Sequence, residues 1–447
     1  MSARLFGTDG VRGRAGTFPL DTRTVRRLGA ALVRALPRGA GIPALIVGRD
    51  TRESGEGIER DLAFGASAEG ARVASAGVIP TPAIAHLTKS EGFTAGLVIS
   101  ASHNPYHDNG IKVFSGGGEK VTEVLEALIE TVMADSSWEA PPGEAPPVPL
   151  VDEAGVYLTH ARQALDGKIP VHGRRIAVDC ANGATHEVAP ALLHSLGFDV
   201  TLIGCSPDGR NINLDCGSTH PEALARLVVG EGCDLGVAFD GDGDRAIFVD
   251  HTGRIVDGDA VMYLCAKQLL RTGRLRGPAV VATVMSNIGL EFALRDLGIG
   301  LVRCPVGDKY VMEELLRAGL SLGGEQSGHV IFPDLLYTGD GLITALTVLR
   351  VMAETGRPLA DLAGELRTFP QVLRNVRVGE KRDWMAIPAA AGAIADVEGR
   401  LGGRGRLLVR YSGTEPLLRI MIEGERQDEI EAWADRIAGA VREAIGA

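Results

Sequence analysis

Three stretches of this chain carry one and the same arrangement, and that repetition restricts the fold more than any other feature. Residues 91–99 (EGFTAGLVI) run into Ser100-Ala101-Ser102-His103, and residues 231–239 (EGCDLGVAF) run into Asp240-Gly241-Asp242-Gly243-Asp244-Arg245. A looser third copy, residues 319–324, runs into Glu325-Gln326-Ser327-Gly328-His329. Each is a short apolar run, as expected of a buried strand, ending in a polar loop with a small residue in it. Upstream of each lies an apolar run (44–47, 176–178, 280–284), a helix-like segment, and a second run (72–76, 199–203, 300–303). Strand, helix, strand, helix, strand, loop predicts three related α/β units of βαβαβ type with a mainly parallel sheet. Ligands of such sheets bind at the carboxyl ends of strands. All three polar loops fall there, so three units facing one cleft is the economical arrangement.

The last segment breaks the pattern. It reads as a strand at 376–378, a helix at 387–398, a hairpin of 407–411 with 418–423, and an amphipathic helix over 428–445. That predicts a smaller C-terminal α+β domain. The Pro-rich run 134–149 (ADSSWEAPPGEAPPVP) reads as a linker or surface excursion, and residues 251–259 and 368–375 as two further joints. The expected domains are therefore 1–150, 151–253, 254–368 and 369–447. A chain of 447 residues is long enough for several separate cores.

The formal net charge of -11 argues against a nucleic-acid partner, yet leaves room for a locally basic cleft that takes an anion. Cysteines 180, 205, 216, 233, 265 and 304 show no CxxC spacing, as expected of reduced thiols in the cytoplasm. The opening MSARLFGTDGVRG has no apolar signal core, and no apolar run approaches the ~20 residues that a membrane helix needs.

The aspartate loop is the most specific chemical signal. Three carboxylates at alternate positions repel one another unless a cation lies between them, and the glycines let their oxygens converge. Hard oxygen donors suit Mg²⁺ that keeps waters and takes a phosphoryl oxygen. A calcium EF-hand fails, because Arg245 stands where glycine is needed and His251, not glutamate, is twelfth. A merely solvated acidic loop is the plainer alternative. Ser102, at a strand end, suits a nucleophile if something activates it, although SASHNP also suits a simple turn. There is no GxSxG elbow. Glu325, Gln326, Ser327 and His329 offer the mixed donors and acceptors that sugar hydroxyls need. Arg410, Ser412, Thr414 and Arg419 in RYSGTEPLLR offer the hydroxyls and guanidiniums that hold a phosphate, or else decorate a turn. GTDGVRG, with Arg12, matches no phosphate-binding loop by itself.

SASHNP, DGDGDR, GEQSGH and RYSGTEP, in this order, resemble the α-D-phosphohexomutase superfamily over essentially the whole chain. FGTDGVRG and Gln326 bring the resemblance nearest to the bacterial phosphoglucosamine mutases, since phosphomannomutase/phosphoglucomutase relatives tend to carry Met at that position. The resemblance implies four domains around a central cleft and often a homodimer. It implies that Ser102 carries a phosphoryl group and completes an Mg²⁺ site with Asp240, Asp242 and Asp244. It further implies that Glu325 and Ser327 touch sugar hydroxyls, and that Arg410, Ser412, Gly413, Thr414 and Arg419 hold the phosphate that is not transferred. Arg12, His103, Lys112, Arg245 and His329 would line the cleft for electrostatic or acid–base work. The implied reaction interconverts glucosamine 6-phosphate and glucosamine 1-phosphate through a bisphosphate. A phosphomannomutase/phosphoglucomutase with the same machinery is the alternative, and a non-catalytic sugar-phosphate sensor is the reading from another class.

Overall fold

The computed structural model describes residues 5–7, 9–37, 41–140, 142–167, 173–412 and 415–446. The three repeats fold as expected and share one strand order. In the first, strand Ala44–Arg49 lies between parallel Arg72–Val78 and Ala95–Ile99. In the second, Arg175–Asp179 lies between Asp199–Ile203 and Leu235–Phe239. In the third, Ala279–Thr283 lies between Gly300–Cys304 and the two-residue strand Gly323–Gly324.

The sheets are mixed rather than purely parallel. After each polar loop the chain turns back as an antiparallel strand, namely Asp108–Ser115, Ala246–Asp250 and Val330–Ile331. The first sheet then adds Gly10–Arg14 and Phe6–Gly7, and the second adds Ile255–Val256, again antiparallel. The three strands expected of each repeat are parallel to one another, whereas these return and edge strands lie outside the expected βαβαβ pattern and make the sheets mixed rather than mainly parallel. The return strands turn each polar loop into the tip of a hairpin.

Helices begin where side-chain caps satisfy their free N–H groups. Asp21 Oδ1 accepts from Thr24 N at 3.0 Å, Asp257 Oδ1 from Ala260 N at 3.1 Å, and Asp340 Oδ1 from Ile343 N at 2.9 Å. The Pro-rich run ends by docking on the sheet: Ser75 N donates to Pro149 O at 2.8 Å and Val151 N to Ser75 O at 2.8 Å. The two expected joints are more ordered than their composition suggested. Strand Ile255–Val256 lies inside 251–259, and strand Gln371–Arg377 takes up most of 368–375.

By compactness the chain divides into residues 1–285 with 299–365, and residues 286–298 with 366–447. The second unit holds a three-stranded antiparallel sheet, Gln371–Arg377, Leu417–Glu423 and Arg406–Tyr411, in that order. Helices Pro388–Leu401 and Gln427–Ile445 cover it around a core that includes Val376, Val397, Ile420 and Ile437. Helix Ile288–Asp296, inside the third expected domain, packs with this unit. Asn287 Oδ1 accepts from Phe369 N at 2.9 Å, its Nδ2 donates to Phe369 O at 2.9 Å, and Phe292 meets Phe369 edge-on.

Helices Thr22–Ala35 and Gly55–Ala68 of the first repeat touch through two glycines. A Cβ on Gly29 would stand 2.1 Å from Leu62 O, and one on Gly65 1.9 Å from Arg26 O. Gly→Ala inside a helix ordinarily stabilises by about 0.5–1 kcal/mol. Here overpacking reverses the sign, so Gly65→Ala should lower unfolding free energy by roughly 1–3 kcal/mol. Denaturant titration of the variant against wild type checks this.

Candidate active site

The serine loop and the aspartate loop meet. Ser102 Oγ donates to Asp240 Oδ2 at 2.6 Å, and Ser102 is almost wholly buried. Gly241 must be glycine, since a Cβ would lie 2.6 Å from Ser102 O. Gly243 has φ 73°, and its Cβ would lie 2.6 Å from Thr185 Cγ2. The glycines of DGDGDR thus serve two purposes, close approach to the serine and convergence of the carboxylates.

Asp240, Asp242 and Asp244 each bring a carboxylate oxygen within 4.8 Å of the others, and all three residues are buried. Burial, followed by repulsion from Asp244 and Asp242, pushes the Asp240 pKa well above the usual carboxylate range. Asp244 goes the other way. Burial opposes its ionisation, but Lys112, His329 and Arg245 outweigh that and hold its pKa well below the ordinary value. Lys112 Nζ lies 2.8 Å from Asp242 Oδ2, 3.3 Å from Asp244 Oδ2 and 3.1 Å from Asp9 Oδ2. Thr81 Oγ1 donates to Asp242 Oδ2 at 2.5 Å. Among the described residues, Asp242 Oδ1 and Asp244 Oδ1 are buried with no hydrogen-bond donor. Two orphaned hard oxygens aimed into one cluster are what a divalent cation would satisfy, so the residues present fit such an ion.

A cleft of about 400 Å³ opens above this cluster, lined by Asp9, Arg12, His103, Asp244, Arg245, Asp308, Glu325 and His329 among others. A second of about 460 Å³ shares Arg245 and Glu325 and adds Gln326 and Ser327. Arg12, His103, Arg245, Glu325, Ser327 and His329, all expected at the site, therefore line these clefts. Lys112 is not on the wall but buried among its three carboxylates. His103 Nδ1 is 3.3 Å from Ser102 Oγ. Burial, with Arg245 and Arg12 nearby, lowers its pKa to about 4. Arg245 Nε is 3.8 Å from Asp240 Oδ2 and 3.7 Å from Asp244 Oδ1. His329 Nδ1 is 3.6 Å from Asp244 Oδ1, while Gly339 N donates to its Nε2 at 3.1 Å. Glu325 Oε1 accepts from Gly307 N at 3.1 Å and Ser327 Oγ is 3.4 Å from Glu325 Oε2. The Gln326 amide turns to the helix-capping Asp257, at 3.1 Å.

In the terminal unit Arg410 and Arg419 are direct cross-strand partners. Like charges facing each other across a hairpin are unfavourable without an anion. Arg419 Nη2 reaches Glu415 Oε2 at 3.0 Å, and Ser412 Oγ accepts from Glu415 N at 3.3 Å. Gly413 and Thr414 lie outside the described residues.

Several groups at the site escaped the sequence reading. Asp9 forms ion pairs with Arg12, Lys112 and Lys120, and Lys120 also pairs with Asp308. Arg52, fully buried, pairs with Asp50 at 2.9 Å and donates to the carbonyls of Ser102 (3.0 Å), Asn104 (2.8 Å) and Asp108 (3.0 Å). Asp50 in turn accepts from Ser100 Oγ at 2.5 Å. One signal could have found Asp50. It follows the first strand of its repeat as Asp179 ends that of the next, and each accepts the N–H two residues on, at 3.0 and 2.9 Å.

Comparison with known proteins decides the family. The chain is 48% identical over 450 residues to the phosphoglucosamine mutase of Solibacter usitatus, covering all of both chains. It is 46% identical over 448 residues to that of Aeromonas salmonicida, again end to end. The chain belongs to the phosphoglucosamine mutase family. Residues 3–140, 156–253 and 257–369 match phosphoglucomutase/phosphomannomutase alpha/beta/alpha domains I, II and III, and 373–440 match the C-terminal domain of that wider family. A phosphoglucomutase/phosphomannomutase family protein of Burkholderia thailandensis superposes with TM-score 0.79 at 25% identity, over 99% of this chain and 98% of the other. Aspergillus fumigatus N-acetylphosphoglucosamine mutase, solved with GlcNAc-6P and magnesium, shares the fold. Its TM-score is 0.67 at 19% identity, over 98% of this chain and 96% of that one. Phosphohexomutases depend on a metal ion, and the Asp240, Asp242 and Asp244 cluster is where this phosphoglucosamine mutase family member can hold one.

Removing one of those carboxylates should weaken the site directly. Asp242→Asn should lower divalent-ion affinity by on the order of tenfold or more, because ligand charge sets affinity at such sites. Calorimetric titration of both proteins with Mg²⁺ checks this, and equal affinities would refute the assignment.

Proposed function

We propose that this phosphosugar mutase interconverts glucosamine 6-phosphate and glucosamine 1-phosphate through a phosphoryl group carried on Ser102. The observation that carries the reading is the 2.6 Å bond from Ser102 Oγ to Asp240, on a chain whose full-length relatives are phosphoglucosamine mutases. Phosphoryl transfer is catalysed mainly by positioning and by neutralising charge. The Ser102 phosphate gives its phosphoryl group to the free sugar hydroxyl. The bond from phosphorus to Ser102 Oγ breaks, one to the sugar oxygen forms, and a base takes the hydroxyl proton. The bisphosphate then returns its other phosphoryl group to Ser102.

Lys112 and Arg245 are held charged by the carboxylates around them, against burial, and so act electrostatically. The His103 ring, with its pKa near 4, is neutral at neutral pH and only a weak base there. Bound to Asp240, Asp242 and Asp244, Mg²⁺ would supply charge neutralisation at the phosphoryl group. The three carboxylates and Ser102 offer only hard oxygen donors, which suit Mg²⁺. Arg12 and His329 lie on the cleft wall for the same electrostatic work. Glu325 and Ser327 take the sugar hydroxyls. Arg410, Ser412, Gly413, Thr414 and Arg419 take the other phosphate.

The domain limits that go with this reading are 1–150, 151–253, 254–368 and 369–447. Six free thiols are in keeping with a cytoplasmic enzyme. A homodimer rests on the resemblance to bacterial members of the family.

Turnover of glucosamine, glucose and mannose phosphates side by side tests the sugar. Faster turnover of glucose or mannose phosphates would replace glucosamine in this reading. Ser102→Ala should abolish nearly all activity while the protein stays folded. Intact-mass and peptide spectra that put the phosphate of the active enzyme on another residue would sink Ser102.

A clamp on the phosphate that is not transferred binds ground state and transition state alike, so its loss raises KM more than it lowers kcat. A charge-assisted contact is worth about 1.5–3 kcal/mol, so Arg419→Ala should cost on the order of 10- to 150-fold in kcat/KM. Steady-state kinetics reads this. A collapsed kcat at unchanged KM would place Arg419 in the chemistry instead.

A further inference from the structure

Left-handed backbone is costly for any residue but glycine, and here it is concentrated. Six non-glycine residues have φ between 48° and 57° among the described residues. Five of them, Ser102, Ala181, Asn182, Asn213 and Asp215, lie on three loops that interlock around the serine. Asn213 N donates to Ala181 O at 2.9 Å, Asn182 Nδ2 to Asn211 O at 3.3 Å, and Thr51 Oγ1 to Asn182 O at 2.5 Å. At the centre, the buried Asn213 carboxamide donates to Ser102 O at 2.9 Å and to Asn104 O at 3.2 Å. A Cβ on Gly241 would come within 2.8 Å of the same nitrogen, so the carboxamide is wedged between the serine loop and the aspartate loop.

We infer that Asn213 is a positioning residue for phosphoryl transfer, holding the serine of the first repeat in register with the carboxylates of the second. This rests on the reading of Ser102 as the phosphoryl carrier. Arg52 grips the same carbonyl but belongs to the serine's own repeat, so it shapes the loop without locating it against Asp240. Asn213 belongs to the repeat that carries Asp240, Asp242 and Asp244. Its hold on the Ser102 carbonyl fixes the backbone torsions from which Oγ projects. Ser102 gains and loses a doubly charged group in each turnover, and repulsion from the carboxylates would shift a loop held from one side only.

The test uses Asn213→Gly, which keeps the left-handed backbone free of strain, and Asn213→Asp, which keeps the shape but removes the donor. Both should stay folded by circular dichroism and thermal melting. Both should lower kcat by about 10- to 100-fold, the cost of a misplaced reacting group, with KM changed by less than about threefold. Amide hydrogen exchange in peptides covering residues 101–108 should quicken in both. A kcat and exchange pattern equal to wild type overturns the proposal, as does a loss of activity that tracks only the loss of folded protein. If wild type turns over no hexose phosphate, the mutase reading falls, and exchange in the 101–108 peptides still decides whether Asn213 holds the loop.

Discussion

Burying three carboxylates within 4.8 Å of one another is the constraint on which the rest of the site depends. Burial and repulsion on that scale raise the pKa of the group least compensated, and Asp240 is that group. Asp244 escapes the same fate because Lys112, His329 and Arg245 surround it. The compensating cations are themselves buried, so each needs its own carboxylates, and the network spreads outward through Asp9 to Lys120 and Asp308. Such a chain of alternating charges is rigid, since displacing one member leaves its neighbours unpaired in a poorly solvated place. That rigidity suits an enzyme in which an anion must be passed without reorganising the surroundings.

A shared backbone design explains how three repeats supply three different chemistries. The polar loop of each repeat is a hairpin tip at the same place in the same strand order. The side chains at the tips differ: a hydroxyl in the first, carboxylates in the second, and a mixed set in the third. The third tip sits on strands of two residues, Gly323–Gly324 and Val330–Ile331, where the others have five or more. Its glycines meet close neighbours, with a Cβ on Gly324 falling 2.5 Å from His329 O. A short hairpin with glycine at its base brings Glu325 and His329 close to the other loops, and a longer bulky one would not.

Legibility followed distance along the chain. Ser102, the aspartates and Glu325 through His329 each belong to contiguous motifs whose residue types carry their chemistry, and they could be read. The three parallel strands of each repeat were also readable, since buried apolar runs stand out, whereas the antiparallel strands that follow the polar loops were not. The supporting groups were invisible for a different reason. Asp9 in its loop, Asp50 and Arg52 after a strand, and Asn213 in a polar stretch each look like ordinary surface residues. Their roles come from partners more than a hundred residues away, as with Asp9 and Lys120 or Asn213 and Ser102, or from burial that composition does not disclose. Helix Ile288–Asp296 belongs by sequence match to the stretch 257–369, yet its packing partners lie beyond the third repeat's strands. Its place between two strands of the third repeat is a fact of sequence, while Asn287 and Phe292 meet Phe369 only in the fold.

The position of Lys112 bears on how a cation and a substrate phosphate share this cluster. Its ammonium occupies the Oδ2 side of Asp242 and Asp244, and leaves Oδ1 of both without a donor. The lysine therefore leaves Oδ1 of each carboxylate clear of its own contact, and these residues would still be able to hold a divalent ion. It neutralises the opposite edge of the same carboxylates. Without it, three aspartates and a phosphorylated Ser102 would place about five negative charges around one ion of charge two. With Lys112 and Arg245 the excess falls to about one, a load that buried backbone dipoles and the ion's remaining waters can carry. On the reading that Ser102 carries a phosphoryl group, the lysine would belong to the electrostatics of that site without reaching the cleft wall.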